Sequence, residues 1–314
     1  MSAPIKDSET GHWVNRAPIT LRPYLQLSRL DRPVGYWLLA LPGWIGLAFA
    51  SLSHGFADSD IKWALLILIG AIAMRGAGCT YNDIVDQDLD KQVERTALRP
   101  LPAGTVTTKQ AWIWLLAQCA VGLIVLLCLP RLAQIISLCS IPLVAAYPFM
   151  KRITWWPQLW LGLTFNWAVL VAYAAKTGEM NWPIYFVYAG LIFWTVFYDT
   201  IYACQDMEDD ALIGIKSTAL HFGEKLNTRL NQLMVFAVIL PLLPIMAYEK
   251  NPLLIAVGLP FFAQLQYQVY RVNKSDGDDY IDIFKSNMVA AWLLIGTFLL
   301  LAYLIGPLNK LTLT

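Results

Sequence analysis

Nine long apolar stretches constrain most strongly what this 314-residue chain can fold into. A helix that crosses a lipid bilayer needs about 20 consecutive, predominantly apolar residues. Pro142, Pro148 and Pro157 interrupt the fourth and fifth stretches, which a membrane protein tolerates because neighbouring helices satisfy the freed carbonyls. The sequence therefore predicts an all-α, polytopic membrane protein with nine transmembrane helices. The stretches cover residues 34–53, 62–82, 110–129, 132–149, 157–175, 182–203, 230–248, 252–270 and 287–306.

The composition excludes a soluble globular fold and argues against binding to nucleic acid. Hydrophobic residues make up 57% of the chain and charged residues 14%, and the mean hydropathy is +0.51. Soluble domains carry about 25% charged residues. The formal net charge of +1 does not provide the strongly basic face that a nucleic-acid partner requires. The five cysteines have neither the paired spacing of a disulfide framework nor that of a zinc site.

The chain divides where its first apolar stretch begins. Residues 1–33 are predicted to be a cytoplasmic N-terminal segment, and residues 34–314 a single nine-helix domain. The first segment lacks the apolar core of a signal peptide, and its acidic Asp7 and Glu9 are untypical of a mitochondrial transit peptide. These features favour a bacterial cell inner membrane, with the mitochondrial inner membrane as the alternative. No pattern in the sequence indicates an oligomeric state.

The distribution of Lys and Arg predicts the orientation of the nine helices. If the N-terminus lies in the cytoplasm, 17 of the 23 basic residues fall on the cytoplasmic side and five on the other. The remaining one, Arg75, lies inside the second stretch. Cytoplasmic loops of membrane proteins carry an excess of Lys and Arg. We therefore expect a cytoplasmic N-terminus and a C-terminus on the opposite side.

Two acidic clusters occur at the predicted cytoplasmic ends of the second and sixth stretches. Asp86 and Asp90 are four residues apart, as are Asp206 and Asp210, so each pair lies on one helix face, one turn apart. Asn82 continues the first row. Like charges at this spacing destabilise an isolated helix, so we expect a cation to neutralise them. Mg²⁺ is suited to this, because it binds one or two carboxylates while sharing phosphate oxygens with a substrate.

Basic residues accompany the acidic clusters. Arg99 follows the first cluster, Lys216 follows the second, and Lys151 lies between the fourth and fifth stretches. Carboxylates that hold a metal, next to fixed cations, can bind and ionise a diphosphate. The alternative is that these cations only anchor the cytoplasmic loops. We favour the functional interpretation for Arg99 and Lys151.

The acidic clusters belong to two longer motifs that resemble a known family. They are similar to the two signatures of the UbiA-type intramembrane aromatic prenyltransferases, and most similar to the branch that prenylates 4-hydroxybenzoate in ubiquinone synthesis. The resemblance extends to residues 29–35 and to Tyr147 with Lys151, so it covers nearly the whole chain. The motifs read Asn82-Asp83-x-x-Asp86-x-x-x-Asp90 with Arg95-Thr96-x-x-Arg99-Pro100-Leu101, and Tyr198-Asp199-Thr200-Ile201-Tyr202-Ala203 through Gln205-Asp206-x-x-Asp209-Asp210 to Gly214-x-Lys216-Ser217-Thr218.

The resemblance implies a reaction and an architecture. The reaction is the Mg²⁺-dependent transfer of a polyprenyl group from its diphosphate to the ring carbon ortho to the hydroxyl of 4-hydroxybenzoate, an early membrane step of ubiquinone biosynthesis. The architecture is a ring of nine helices around a central cavity that is capped by cytoplasmic loops and opens sideways to membrane lipid.

The resemblance also implies a role for individual side chains. Asn82, Asp86 and Asp90 would hold one Mg²⁺, and Asp206 and Asp210 a second, and these four aspartates carry the catalysis. Arg29 matches the position that meets the carboxylate of the aromatic acceptor, with Arg32 as its rival. Asn166, a polar residue inside the fifth stretch, would either orient the aromatic ring or hydrogen-bond a neighbouring helix. The positions expected to bind the diphosphate are Arg99, Tyr147 and Lys151, joined by Lys216.

Two other functions compete with this interpretation. Ionisable residues within membrane spans also mark transporters and ion pathways. Against transport, both acidic clusters lie at one predicted membrane face, and only Arg75 is near the midplane. A sister enzyme that prenylates haem, chlorophyllide or a naphthoate is the nearer rival, and the motif from Tyr198 to Asp210 speaks against it by family analogy.

Overall fold

The structure is a computed structural model that describes residues 11–305, apart from 92–93, 208–210, 213, 249–251 and 276–278. The described residues form helices and no strands. The helices of the first half are α1 (Arg22–Leu27), α2 (Val34–His54), α3 (Ser59–Val85), α4 (Gln87–Asp90), α5 (Glu94–Ala97), α6 (Thr108–Leu127), α7 (Arg131–Cys139) and α8 (Ile141–Ile153).

The second half continues in the same way, with short 3₁₀ turns between some of the helices. The α-helices are α9 (Pro157–Phe165), α10 (Trp167–Thr177), α11 (Trp182–Ala203), α12 (Thr218–Phe222), α13 (Leu226–Tyr248), α14 (Leu259–Lys274), α15 (Tyr280–Lys285) and α16 (Asn287–Ile305). The 3₁₀ turns are Trp13–Arg16, Cys204–Asp206, Gly223–Lys225 and Pro252–Gly258.

Eight helical segments in the described part of the chain are long and apolar enough to cross a membrane. They coincide with eight of the nine predicted stretches and confirm an all-α, multi-pass membrane protein. The eighth stretch, residues 252–270, differs, because it begins with a 3₁₀ turn and continues in the 16-residue helix α14. Nine crossings therefore stay a prediction.

The fourth and fifth segments are each built from two helices. In the fourth, α7 ends at Cys139 and α8 begins at Ile141, with Pro142 in its first turn, where a missing N–H costs nothing. In the fifth, the break falls at Asn166, and Pro157 is instead the first residue of α9. The expectation that Pro157 interrupts this segment is therefore wrong.

The chain separates into two compact units, with boundaries inside α2, inside α3 and between α6 and α7. The first unit contains residues 1–39 and 68–128, and the second contains 40–67 and 129–314. The single domain predicted for 34–314 stays a prediction. In the first unit, α1 packs against α6, and a small buried core supports the segment between α5 and α6. This core consists of Leu27, Leu101, Val106 and Ala111, with Tyr24, Ile84 and Trp114 packed against it.

Helix α11 is the central element of the second unit. It packs against α13, α9, α10 and α15. Three of its aromatic side chains, Trp194, Phe197 and Tyr198, are at most 1% exposed. Trp194 donates a hydrogen bond from its indole N–H to Oδ1 of Asn287 at 2.9 Å. Because a buried indole N–H needs a partner, this bond fixes the start of α16 against α11.

Candidate active site

The first acidic cluster lies at the end of α3 and is almost completely buried. The amide of Asp86 donates to the carbonyl of Asn82, and the amide of Asp90 donates to the carbonyl of Asp86, both at 2.9 Å. The helical spacing thus continues past Val85 into α4. Asp86 is 1% exposed and Asp90 is 7% exposed. The predicted row of Asn82, Asp86 and Asp90, one turn apart, is confirmed.

Arg99 closes the loop that follows this cluster. Its Nη1 lies 2.9 Å from Oδ2 of Asp90 and 3.5 Å from Oδ1 of Asp83. The hydroxyl of Thr96 donates to the carbonyl of Asp90 at 2.8 Å and ties the loop to α4. The motif that joins the acidic row to Arg99 therefore folds back on itself and places a guanidinium on one of the predicted metal ligands.

Arg29, in the turn between α1 and α2, also contacts this cluster through Asp83. Its Nη2 lies 2.6 Å from Oδ1 and 2.9 Å from Oδ2 of Asp83. Its backbone has φ +54°, an uncommon conformation for a residue other than glycine. Burial opposes the charge of this guanidinium, but the Asp83 carboxylate, together with the smaller effects of Cys79 and Asp31, outweighs burial, so the pKa of Arg29 lies above its usual value. Its rival Arg32 lies 3.7 Å from Asp31 through Nε.

Asp83 is a site residue whose importance the sequence did not reveal. It belongs to the quoted motif, but its carboxylate meets both arginines and is fully buried. Its partner Arg29 is 54 positions away in the chain. The only indication of its role in the sequence is that Asp83 directly follows Asn82, one position outside the predicted row of metal ligands.

The carboxylates of the first cluster fit a magnesium ion in chemistry. Asp86 and Asp90 present oxygen ligands one turn apart, and the amide oxygen of Asn82 is one turn further along. In the described part of the chain, no three His, Cys, Asp or Glu side chains converge on one point. Mg²⁺ needs only one or two protein carboxylates when substrate phosphates and water complete its coordination, so these residues fit the ion in chemistry, and their role as its ligands stays a prediction.

The second acidic cluster follows α11. Asp206 ends the 3₁₀ turn Cys204–Asp206 and is partly exposed. Asp210 lies outside the described residues, so the predicted pairing of these two carboxylates stays a prediction. A buried hydrogen bond of 2.6 Å joins the hydroxyl of Thr200 to that of Thr218. This bond anchors α12, which begins just after Lys216, to the last turns of α11.

The segment around Lys216 docks on the end of α8, where Lys151 lies. The amide of Lys216 donates to the carbonyl of Lys151 at 3.2 Å, and its Nζ donates to the carbonyl of Ile153 at 3.3 Å. Tyr147 and Lys151 are both on α8, one turn apart and partly buried. The structure thus places the backbone of Lys216 beside that of Lys151, and its ammonium group on the carbonyl of Ile153. A common diphosphate site for these side chains stays a prediction. No pattern in the sequence predicts that Lys216 and Lys151 are neighbours.

Asn166 lies at the break between α9 and α10, and its side chain joins α9 to α11. Its Nδ2 lies within hydrogen-bonding distance of the carbonyls of Gly162 and Leu191 and of the hydroxyl of Thr195, at 2.7–3.0 Å. The side chain is fully buried. Of its two expected roles, the helix–helix hydrogen bond is the one observed, and a contact with the aromatic substrate stays a prediction.

Comparison with protein families gives a match over most of the chain. The model of the UbiA prenyltransferase family matches residues 39–292. A mouse protein named 4-hydroxybenzoate polyprenyltransferase, mitochondrial, is 44% identical over 310 residues, which cover 95% of this chain and 78% of the mouse protein. The human protein of the same name is 42% identical over 304 residues, with the same coverage.

Solved structures share the fold. A UbiA homolog from Aeropyrum pernix K1 superposes with a TM-score of 0.69 at 22% identity, covering 83% of this chain and 97% of that one. A UbiA homolog from Archaeoglobus fulgidus, bound to GPP and Mg²⁺, superposes with a TM-score of 0.67 at 19% identity, covering 90% and 99%. At these identities the superpositions support the helical architecture alone.

Proposed function

This chain belongs to the UbiA prenyltransferase family, and from that premise we propose that it transfers a polyprenyl group from polyprenyl diphosphate to the ring carbon ortho to the hydroxyl of 4-hydroxybenzoate. The reaction is an early membrane step of ubiquinone biosynthesis. The observation that carries the proposal is 42–44% identity over 95% of the chain to the mouse and human proteins named 4-hydroxybenzoate polyprenyltransferase, mitochondrial. Asn82, Asp86 and Asp90, of which the two aspartates are buried, would supply the metal ligands that such a reaction needs.

We assign the donor diphosphate to four basic and hydroxyl side chains predicted from the sequence. Arg99 offers its guanidinium beside Asp90, and Tyr147, Lys151 and Lys216 offer one hydroxyl and two ammonium groups. Asn82, Asp86 and Asp90 would hold one Mg²⁺, and Asp206 and Asp210 a second. Bound Mg²⁺ would neutralise the charge that develops on the diphosphate as it leaves. Metal use is supported by the Archaeoglobus fulgidus homolog, which binds Mg²⁺ together with GPP.

We assign the carboxylate of the acceptor to Arg29. The guanidinium donates to Asp83 and, through Nη1, to the carbonyl of Gln26 at 2.9 Å, and its remaining N–H groups would serve the acceptor. The long apolar tail of the donor is as lipophilic as the bilayer, so it would lie among membrane lipid while its diphosphate stays near water. The allylic cation would be shielded from water until the ring attacks it.

The test is the reaction itself. Purified protein in detergent or liposomes is incubated with 4-hydroxybenzoate, a labelled prenyl diphosphate and Mg²⁺, and the prenylated product is identified by mass spectrometry. We expect turnover that EDTA abolishes and Mg²⁺ restores. Asp86→Ala and Asp206→Ala should each abolish turnover at normal expression. Product formed only from haem or a naphthoate would replace the acceptor, and full activity in EDTA would refute the role of the acidic clusters.

The compartment can be assigned separately. The similar mammalian proteins are named mitochondrial, which favours the mitochondrial membrane over the bacterial cell inner membrane expected from sequence. Fractionation of the source cells, followed by detection of the tagged chain, distinguishes the two. Enrichment with mitochondrial markers would support the mitochondrial membrane. Enrichment with a bacterial inner-membrane fraction would support the bacterial cell inner membrane.

A further inference from the structure

Asp83 is the point at which two substrate-assigned cations meet. Its carboxylate is fully buried, and Nη2 of Arg29 lies 2.6 and 2.9 Å from its two oxygens. Nη1 of Arg99 lies 3.5 Å from Oδ1 of the same carboxylate. Arg29 is the cation assigned to the acceptor, and Arg99 the cation assigned to the donor. One buried acid thus contacts both.

The position of Arg29 depends on more than this ion pair. The preceding Ser28 accepts a hydrogen bond from the indole of Trp114 at 2.8 Å and donates to the carbonyl of Tyr24. At Gly76 on α3, an added Cβ would lie 3.1 Å from Cβ of Ser28, so the turn sits close against α3. The backbone of Arg29 is therefore fixed, and Asp83 fixes the guanidinium at the other end of the side chain.

The distances argue against Asp83 as a metal ligand. Arg29 covers both of its oxygens at hydrogen-bonding distance, and a second guanidinium is close. A buried carboxylate in such contact with cations is neutralised and has little reason to attract another. Asp86 and Asp90 are the residues that continue the row from Asn82. Asp83 therefore holds cations of the protein rather than a metal.

Building on the proposed function, we propose that Asp83 is a positioning residue that holds Arg29 and Arg99 in one arrangement and so couples the binding of the acceptor to that of the donor. Losing this acid would remove the ion pair that holds Arg29 and would leave Arg99 with its contact to Asp90 alone. Each substrate would then meet a cation that has lost one of the contacts that set its position. A charge-assisted hydrogen bond lost at such a site corresponds to about a tenfold to hundredfold loss of affinity.

The first test separates positioning from metal binding. Binding of Mn²⁺, measured by electron paramagnetic resonance without substrates, is compared in wild type, Asp83→Asn and Asp86→Asn. We expect near-wild-type Mn²⁺ affinity in Asp83→Asn and a loss of at least about tenfold in Asp86→Asn, the control. A loss in Asp83→Asn as large as in the control would overturn the proposal, because it would make Asp83 a metal ligand.

The second test measures both substrates in the same variant. Asp83→Asn should raise KM for 4-hydroxybenzoate and KM for the prenyl donor, each about tenfold or more, whereas a variant of either arginine should affect mainly one. In wild type, saturating acceptor should also strengthen donor binding. The coupling factor, which is the ratio of donor affinity with and without acceptor, should approach one in Asp83→Asn. Wild-type values of both KM and an unchanged coupling factor would overturn the proposal.

A second variant covers the case in which Asp83→Asn does not fold. Asp83→Glu keeps the buried charge but shifts it by one methylene, so it should fold, bind Mn²⁺ normally and still raise both KM values. Unchanged KM values in Asp83→Glu would contradict the positioning role. Absence of wild-type turnover with 4-hydroxybenzoate would instead refute the proposed function, so the two failures are distinguishable.

Discussion

At the scale of single residues, the site consists of opposite charges that neutralise one another. Asp83 and Asp90 contact Arg29 and Arg99 at 2.6–3.5 Å, and all four side chains are 15% exposed or less. Taking ions out of water is costly, and only close pairing offsets that cost. An anionic substrate would therefore bind these guanidinium groups through the N–H groups that the carboxylates do not occupy.

The two arginines should separate the two substrates kinetically. Because Arg29 is assigned to the acceptor carboxylate, Arg29→Ala should raise KM for 4-hydroxybenzoate about tenfold to hundredfold and change KM for the donor far less. Arg99→Ala should do the reverse. Steady-state kinetics with each substrate varied in turn provides both values. Arg32→Ala is the matched control, and an acceptor defect there with a silent Arg29→Ala would reassign the acceptor site to Arg32.

Tyr147 and Lys151 should act on one group because they lie one turn apart on α8. Lys151→Gln removes the ammonium, and Tyr147→Phe removes the hydroxyl. We expect each to lower kcat/KM for the donor about tenfold or more. The double variant should lose less than the product of the two effects, since both contact the same leaving group. Wild-type kinetics in Lys151→Gln would reduce the pair to ordinary residues of the membrane surface.

At the scale of helices, the sequence predicts what is local and misses what is distant. The row of Asn82, Asp86 and Asp90 follows from the helical repeat alone, so it could be predicted. The pairing of Asp83 with Arg29 depends on a left-handed turn 54 residues earlier, which no pattern announces. The break at Asn166 has no proline to signal it, and the hydrogen bonds that this side chain makes to α11 join residues far apart in the chain.

Close helix packing makes one glycine necessary and leaves another replaceable. A Cβ added at Gly46 of α2 would lie 2.5 Å from the backbone carbonyl oxygen of Val169 in α10, whereas one at Gly78 of α3 would meet nothing within 4 Å. Gly46→Ala should therefore destabilise the protein by about 1–3 kcal/mol. Gly78→Ala is the matched control and should be neutral or stabilise by up to about 1 kcal/mol. Thermal unfolding in detergent measures both, and equal melting temperatures would contradict the close packing.

A partly buried ion pair in the second unit should affect stability without affecting chemistry. Nζ of Lys176 lies 2.6 Å from Oδ2 of Asp60 and from Oγ of Ser51, with 3% of the lysine side chain exposed. Lys176→Met leaves Asp60 without this partner and should cost about 3 kcal/mol. Adding Asp60→Asn should restore part of the loss. Thermal unfolding and kcat are measured together, and a folded Lys176→Met protein with a large loss of kcat would contradict a purely structural role.

At the scale of the whole molecule, charge and helix length together determine the number of crossings. Residues 252–274 form a 3₁₀ turn and α14, with a combined rise of about 38 Å. This exceeds the bilayer core of about 30 Å. If residues 252–274 did not cross, the basic residues at and after the end of this segment would lie on the side opposite the cytoplasm. That side carries few other basic residues. Charge thus favours nine crossings even though α14 alone is short.

The labelling of three single cysteines should decide whether this segment crosses. Glu224 precedes α13, Lys274 ends α14, and Lys62 lies in the first turn of α3. If α13 crosses outward and residues 252–274 cross back, Glu224→Cys and Lys274→Cys will react with a membrane-impermeant maleimide from the same side, and Lys62→Cys from the other. The background is the chain with its five native cysteines replaced by alanine, checked for turnover. Labelling of Lys274→Cys from the side of Lys62→Cys would mean eight crossings, and Lys274 would then lie outside the cytoplasm, against the distribution of basic residues.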